Sequence, residues 1–127
     1  ATVQEGLDFP VITGLEPKDV VDANSRVRRM LEQALGIIKF FGHNKNLLPA
    51  SISEVHVDPV LGMTLILEDN RASILLGSEG ELEKVGRLHM VLDALAREGK
   101  RQAVSRIDLN YRDRVIVSLR PSGRLER

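Results

Sequence analysis

At 127 residues with 43% hydrophobic and 28% charged side chains, the chain has the size and composition of one globular domain, which sets aside the disordered and fibrous classes. It holds no cysteine, which excludes disulfide frameworks, thiol nucleophiles and cysteine-containing zinc sites, and no apolar run approaches the roughly 20 residues that cross a bilayer as a helix. Its formal net charge of zero hides a split, because residues 1–83 carry 7 Lys or Arg against 13 Asp or Glu whereas residues 84–127 carry 11 against 5.

The chain opens on Ala1 without the charged, apolar and small-residue order of a signal peptide, and it reads as a portion of a longer protein. Leu7, Phe9, Val11 and Ile12 surround Pro10, which lacks the N–H of a sheet ladder, so this stretch predicts an edge strand that ends at Thr13-Gly14. Pro17 suits the first turn of a helix. Val20, Val27, Met30, Leu31, Ala34, Ile38 and Phe41 then recur at helical spacing, with Asp19 and Asp22 near the start and Gly42 and Asn44 at the end. After a loop from Asn44 to Pro49 the period changes to two. Val55 and Val57 alternate with Glu54, His56 and Asp58, and Asp58-Pro59 closes the strand.

Leu61, Met63, Leu65 and Leu67 share a face of the next strand, Asp69-Asn70 makes the turn, and Ala72, Ile74 and Leu76 share a face of the strand after it. Ser78 and Glu81 have capping-box spacing ahead of Leu82, Val85, Leu88, Leu92 and Leu95, a second helix that Gly99 ends. Two last strands follow. Val104–Tyr111 places Ile107, Leu109 and Tyr111 on one face, Val115–Leu119 does the same for Val115, Val117 and Leu119, and Arg112-Asp113-Arg114 joins them. The pattern predicts an α+β domain over residues 1–120, with a mainly antiparallel sheet, two helices on one face, a C-terminal edge hairpin and a flexible tail at 121–127.

The candidate chemistry is sparse. His43, His56 and His89 fall on separate elements without metal-ligand spacing, so no metal site and no cofactor are expected. Glu79, Glu81 and Glu83 open a helix, where the dipole and the cap account for them without acid–base catalysis. Ser78 lies in no nucleophile elbow, and Gly77-Ser78-Glu79-Gly80 lacks the lysine of a phosphate loop, so no enzyme is predicted. Arg106, Arg112, Arg114 and Arg120 could track a phosphate backbone, yet Tyr111 is the sole aromatic on this sheet for base stacking, which argues against nucleic acid.

The last strand carries the functional content. Val115, Ile116, Val117, Ser118 and Leu119 form a short apolar strand whose free N–H and C=O groups could template a partner strand. On the residues alone a second reading is equally open, with Val115, Val117 and Leu119 filling the core while Arg114 and Arg120 guard the edge against aggregation.

Four motifs in order carry a family resemblance. Phe9-Pro10-Val11-Ile12-Thr13-Gly14, the hairpin Leu65 to Gly77 ending in Leu75-Leu76-Gly77, Lys84 with Leu88 and Leu92, and Ile107-Asp108-Leu109-Asn110-Tyr111 are similar to motifs of the β domain of the bacterial cell-division FtsQ/DivIB family. The resemblance implies a single-pass inner-membrane protein with a POTRA domain and this β domain outside the cytoplasm. It implies a non-enzymatic scaffold whose last strand binds the membrane-anchored proteins FtsB and FtsL by strand addition. It implies Tyr111 at the partner interface and Val115, Ile116, Val117, Ser118 and Leu119 as the strand on which the partner pairs, and the neighbouring Arg112 and Arg114 are read as partner-binding residues that set its orientation. Asn110 stands where the family often has arginine, Arg112-Asp113-Arg114 replaces a turn with glycine, and Leu119 stands where some members carry tryptophan. The alternative is another interaction domain of the cell envelope, associated with peptidoglycan or with outer-membrane assembly.

Overall fold

A computed structural model of the chain describes residues 10–16, 18, 26–43, 52–77 and 81–121. The strands are β1 (Val11–Thr13), β2 (Ile52–Asp58), β3 (Gly62–Leu67), β4 (Ser73–Gly77), β5 (Val104–Asp108) and β6 (Ile116–Leu119). Helix α1 (Arg26–His43) lies between β1 and β2, and helix α2 (Glu81–Arg97) between β4 and β5, followed by a short 3-10 turn at Arg101–Ala103. The expected helix start at Pro17, with Val20, Asp19 and Asp22, the loop 44–49, the pairing of Ser78 with Glu81 and the tail beyond Pro121 lie outside the described residues.

The six strands form one sheet in chain order, β1-β2-β3-β4-β5-β6. The β2–β3, β3–β4 and β5–β6 pairs are antiparallel, whereas β1–β2 and β4–β5 are parallel. The expected mainly antiparallel sheet is therefore corrected to a mixed sheet, within an α+β fold. A helix packed on the sheet between two neighbouring strands carries the chain back to the end where it began, so the second strand must run parallel to the first. Strand–helix–strand order stands twice in the sequence and carries that information.

One face of the sheet is sealed by the helices. Val55 and Val57 of β2, Met63, Leu65 and Leu67 of β3, Ile74 and Leu76 of β4, and Val104 and Ile107 of β5 are fully buried against Met30, Ala34 and Ile37 of α1 and Leu88 and Leu92 of α2. Period-two alternation on the strands meets three-and-four spacing on the helices, so each element turns one apolar side into a shared layer. Each large side chain buried here removes apolar area worth about 1.5–3 kcal/mol from water.

The turns are closed by side chains that replace missing ladder partners. Asp58 Oδ1 accepts from the amides of Leu61 at 2.9 Å and Val60 at 2.8 Å, and these two bonds, Leu61's first, hold its carboxyl below the usual pKa. Asn70 Oδ1 accepts from the Ala72 amide at 3.1 Å across the β3–β4 turn. Helix α2 ends with the Gly99 amide on the Ala96 carbonyl and the Lys100 amide on the Leu95 carbonyl, the paired bonds of a Schellman motif.

Two glycines provide opposite tests of this geometry. Gly14 has φ of 92° and a Cβ there would run into the Val57 carbonyl oxygen, whereas Gly36 sits on α1 with open space around the missing Cβ. Gly14→Ala should destabilise the domain by about 1–3 kcal/mol through backbone strain and collision. Gly36→Ala should stabilise it by about 0.5–1 kcal/mol by restricting the unfolded chain. Urea denaturation should show the midpoints moving in opposite directions.

Candidate partner-binding edge

Among the described residues β6 has one strand neighbour, β5, so its outer side is an open edge. The register pairs Val104 with Leu119, Arg106 with Ser118, Ile107 with Val117 and Asp108 with Ile116, and slips by one residue on β5 between Val104 and Arg106. Val115 and Val117 pack on the core. Ile116 and Leu119 are 42% and 44% exposed, which is high for apolar residues of a sheet. The two readings of this strand thus divide its residues. Val115 and Val117 fill the core, whereas Leu119, expected on their face, is half open at the sheet's corner.

Tyr111 does not lie on the strand where the alternation of Ile107 and Leu109 placed it. Asp108 Oδ1 accepts from the Asn110 amide at 2.9 Å, and this local bond turns the chain out of the ladder. Leu109 remains buried, with its amide on the Leu75 carbonyl at 3.0 Å. Tyr111 swings out to 40% exposure, and the Arg114 guanidinium lies 4.8 Å from its ring centroid as a cation–π contact. Asn110 closes over β4, where its Oδ1 occupies the space that a Cβ on Gly77 would need. Arg112 and Asp113 are exposed in the joining loop.

Both ends of β6 are tied down by arginines. At its start, Arg87 of α2 donates from Nη2 to the Arg114 carbonyl at 3.0 Å. At its end, the Arg120 amide donates to the Ala103 carbonyl at 2.7 Å, Arg120 Nη1 to the Val104 carbonyl at 2.7 Å, and Arg120 Nη2 to the Asn70 carbonyl. Asn70 Nδ2 in turn donates to the Arg101 carbonyl at 3.1 Å and the Val104 carbonyl at 3.3 Å. Arg120 therefore reaches back across β5 to the β3–β4 turn. The expectation that it guards the open edge is replaced by an internal tie.

Beneath that tie lies a buried guanidinium. Arg101 makes no side-chain hydrogen bond of good geometry among the described residues, and Asp69 Oδ2, at 3.3 Å from its Nη2, is its counter-charge. Gln102 Nε2 donates to the same Asp69 oxygen at 3.0 Å. Partial burial raises the Asp69 pKa, but the Gln102 hydrogen bond, the Arg101 charge and the Asn70 amide outweigh it and leave the carboxyl below its ordinary range.

At the opposite edge, Thr13, Glu54 and His56 form a polar row on β1 and β2. Thr13 Oγ1 donates to Glu54 Oε2 at 2.6 Å, so its contact with His56 Nδ1 at 2.9 Å is one in which the imidazole donates. A general base would have to accept the threonine proton instead. The row staples a three-residue strand to its neighbour. Among the described residues, no group of three or more His, Asp or Glu is placed to hold a metal ion.

The chain matches the family model for the C-terminal part of cell division protein FtsQ/DivIB over residues 1–110. It belongs to the FtsQ/DivIB family. Similar curated relatives are the cell division protein FtsQ of Anaeromyxobacter sp. (strain K), 38% identical over 94% of this chain, and that of Geobacter sp. (strain M21), 31% identical over 87%. FtsQ of Geotalea daltonii is 28% identical over 91%. The chain spans about 40% of the length of these relatives, and the family-model match stops one residue before Tyr111, short of β6. Membership in this division family fits the resemblance read from Phe9–Gly14, the Leu65–Gly77 hairpin and Ile107–Tyr111. What sequence reasoning missed is the pair of ties by Arg87 and Arg120, which join positions 27 and 50 residues apart along the chain and leave no local signal.

Asp69→Asn should lower stability near neutral pH by about 1–3 kcal/mol, since it leaves a buried polar group without its match. A carboxyl with a depressed folded pKa stabilises above its unfolded value of 3.8 and loses that contribution as pH falls through the folded value. Urea unfolding of parent and variant at pH 6 and about pH 3 should therefore show the difference between them shrinking at the acid end.

Proposed function

We propose that this domain is a non-enzymatic scaffold of the division complex and that its partner adds a strand to β6. The observation that carries the reading is the side of β6 left open among the described residues, where Ile116 and Leu119 stay partly exposed and Tyr111 stands on the loop before the strand. Strand addition draws affinity from main-chain pairing and specificity from alternate side chains. A strand laid on β6 would meet Ile116 and Ser118 on the face turned away from α1 and α2, and Val117 with Leu119 on the other. Tyr111, stacked under Arg114, would supply an amphipathic anchor, and Arg112 and Arg114 would orient acidic groups. The competing edge, β1, is three residues long and follows Pro10, which offers fewer ladder groups to a partner.

The partners proposed are FtsB- and FtsL-type membrane-anchored division proteins. Family membership supports a role in septation, and the longer relatives leave room for other regions of the whole protein. We read the whole protein as a single-pass protein of the bacterial inner membrane that carries this domain on the periplasmic side. Among the described residues no helix is long and apolar enough to cross a membrane.

Titration calorimetry against a soluble FtsB/FtsL-type segment tests the proposal. Parent protein should bind, and Tyr111→Ala and Leu119→Asp, with parent-like circular dichroism, should each weaken binding at least tenfold, about 1.4 kcal/mol. Equal binding by both folded variants would remove β6 and its loop as the site.

A further inference from the structure

We propose that Arg87 and Arg120 are positioning residues of the β6 edge, two clamps that hold a four-residue strand flat and in register so that a partner strand meets a finished template. The proposal rests on the strand-addition reading and adds what makes so short an edge usable. A strand of four residues with a single neighbour among the described residues has few ladder bonds, and such an element belongs to the low-stability end of a fold. A partner that binds only the ordered strand loses apparent affinity in proportion to the fraction of time the strand is displaced. Order in β6 is thus part of the binding site.

The geometry places the clamps at opposite ends and aims both inward. Arg87 comes from α2 and donates to the Arg114 carbonyl, two residues before the strand begins. Arg120 follows directly after Leu119. Its guanidinium spans two carbonyls, Val104 on β5 and Asn70 on the β3–β4 turn, while its own amide bonds to Ala103. A planar fork can satisfy two such acceptors at once, which a lysine ammonium on a flexible stem matches poorly. Asn70 is itself fixed by its side-chain bonds to the Arg101 and Val104 carbonyls, so the anchor point for Arg120 is rigid. With both guanidiniums committed to carbonyls within the domain, their effect on a partner strand passes through β6.

The test combines amide exchange with binding for Arg87→Ala, Arg120→Ala and Arg120→Lys in the full chain. In the Ala variants the amides of Ile116–Leu119 should exchange at least tenfold faster while those of Val55, Val57 and Leu65 keep their parental rates. Binding of the soluble FtsB/FtsL-type segment should weaken several-fold with an unchanged dependence on salt, and Arg120→Lys should fall between parent and Arg120→Ala. The clamps lie at opposite ends of the strand, so the double Ala variant should exceed either single one. Unchanged exchange in β6 overturns the proposal, and so does faster exchange with unaltered affinity. A weaker salt dependence in the variants also overturns it, because it marks the arginines as direct contacts of an acidic partner. If the parent itself fails to bind, the strand-addition reading falls and the clamp proposal with it. If the parent binds and the variants match it, the clamp proposal alone falls.

Discussion

The structure depends on one buried layer between the inner face of the sheet and two helices. Met63, Leu65, Leu67, Ile74, Leu76 and Ile107 form the floor of that layer, and Met30, Ala34, Ile37, Leu88 and Leu92 form its roof. Because the helices cover one face, the strands alternate except where the register shifts, and the polar residues Glu54, His56, Thr64, Ser73 and Arg106 fall on the other side with Ile66 and Leu75. The connections follow from the same layer. A chain that leaves the sheet as a helix must cross the roof and return from the starting end, which makes β1–β2 and β4–β5 parallel, while the direct turns keep β2, β3 and β4 antiparallel.

How much of this was legible depends on the range of the interaction. Val55 and Val57, then Met63, Leu65 and Leu67, announce strands because burial on one face leaves a two-residue rhythm that needs no partner to be seen. Leu88 and Leu92 announce α2 in the same way. Tyr111 reads as a strand residue because the rhythm of Ile107 and Leu109 carries on through it. A single Asp108 carboxylate, bonded to the Asn110 amide, overrides the rhythm and ends the strand. The arginines at either end of β6 look in sequence like surface charge. Their roles arise from carbonyls on distant elements, and no periodicity encodes such contacts.

The two edges of the sheet formed by the described residues are handled by different chemistry. β1 is short, begins after a residue without an N–H and is fixed by a hydroxyl relay from His56 through Thr13 to Glu54. β6 leaves Ile116 and Leu119 partly in solvent and is secured from behind. A sheet that only needed protection from aggregation would be expected to place charge along both edges. Here the basic C-terminal third supplies arginines that turn inward at β6, so part of the charge asymmetry read from the sequence is structural mortar.

The stacking of Arg114 on Tyr111 has an optical consequence. The chain has one tyrosine and no tryptophan, so its near-ultraviolet absorbance at the tyrosine band, and nearly all of its intrinsic emission, originate at a single ring. That ring stands on the loop leading into the open strand. The native molecule therefore carries its own chromophore at the surface in question, and a change in quenching or polarisation reports there without any label being attached.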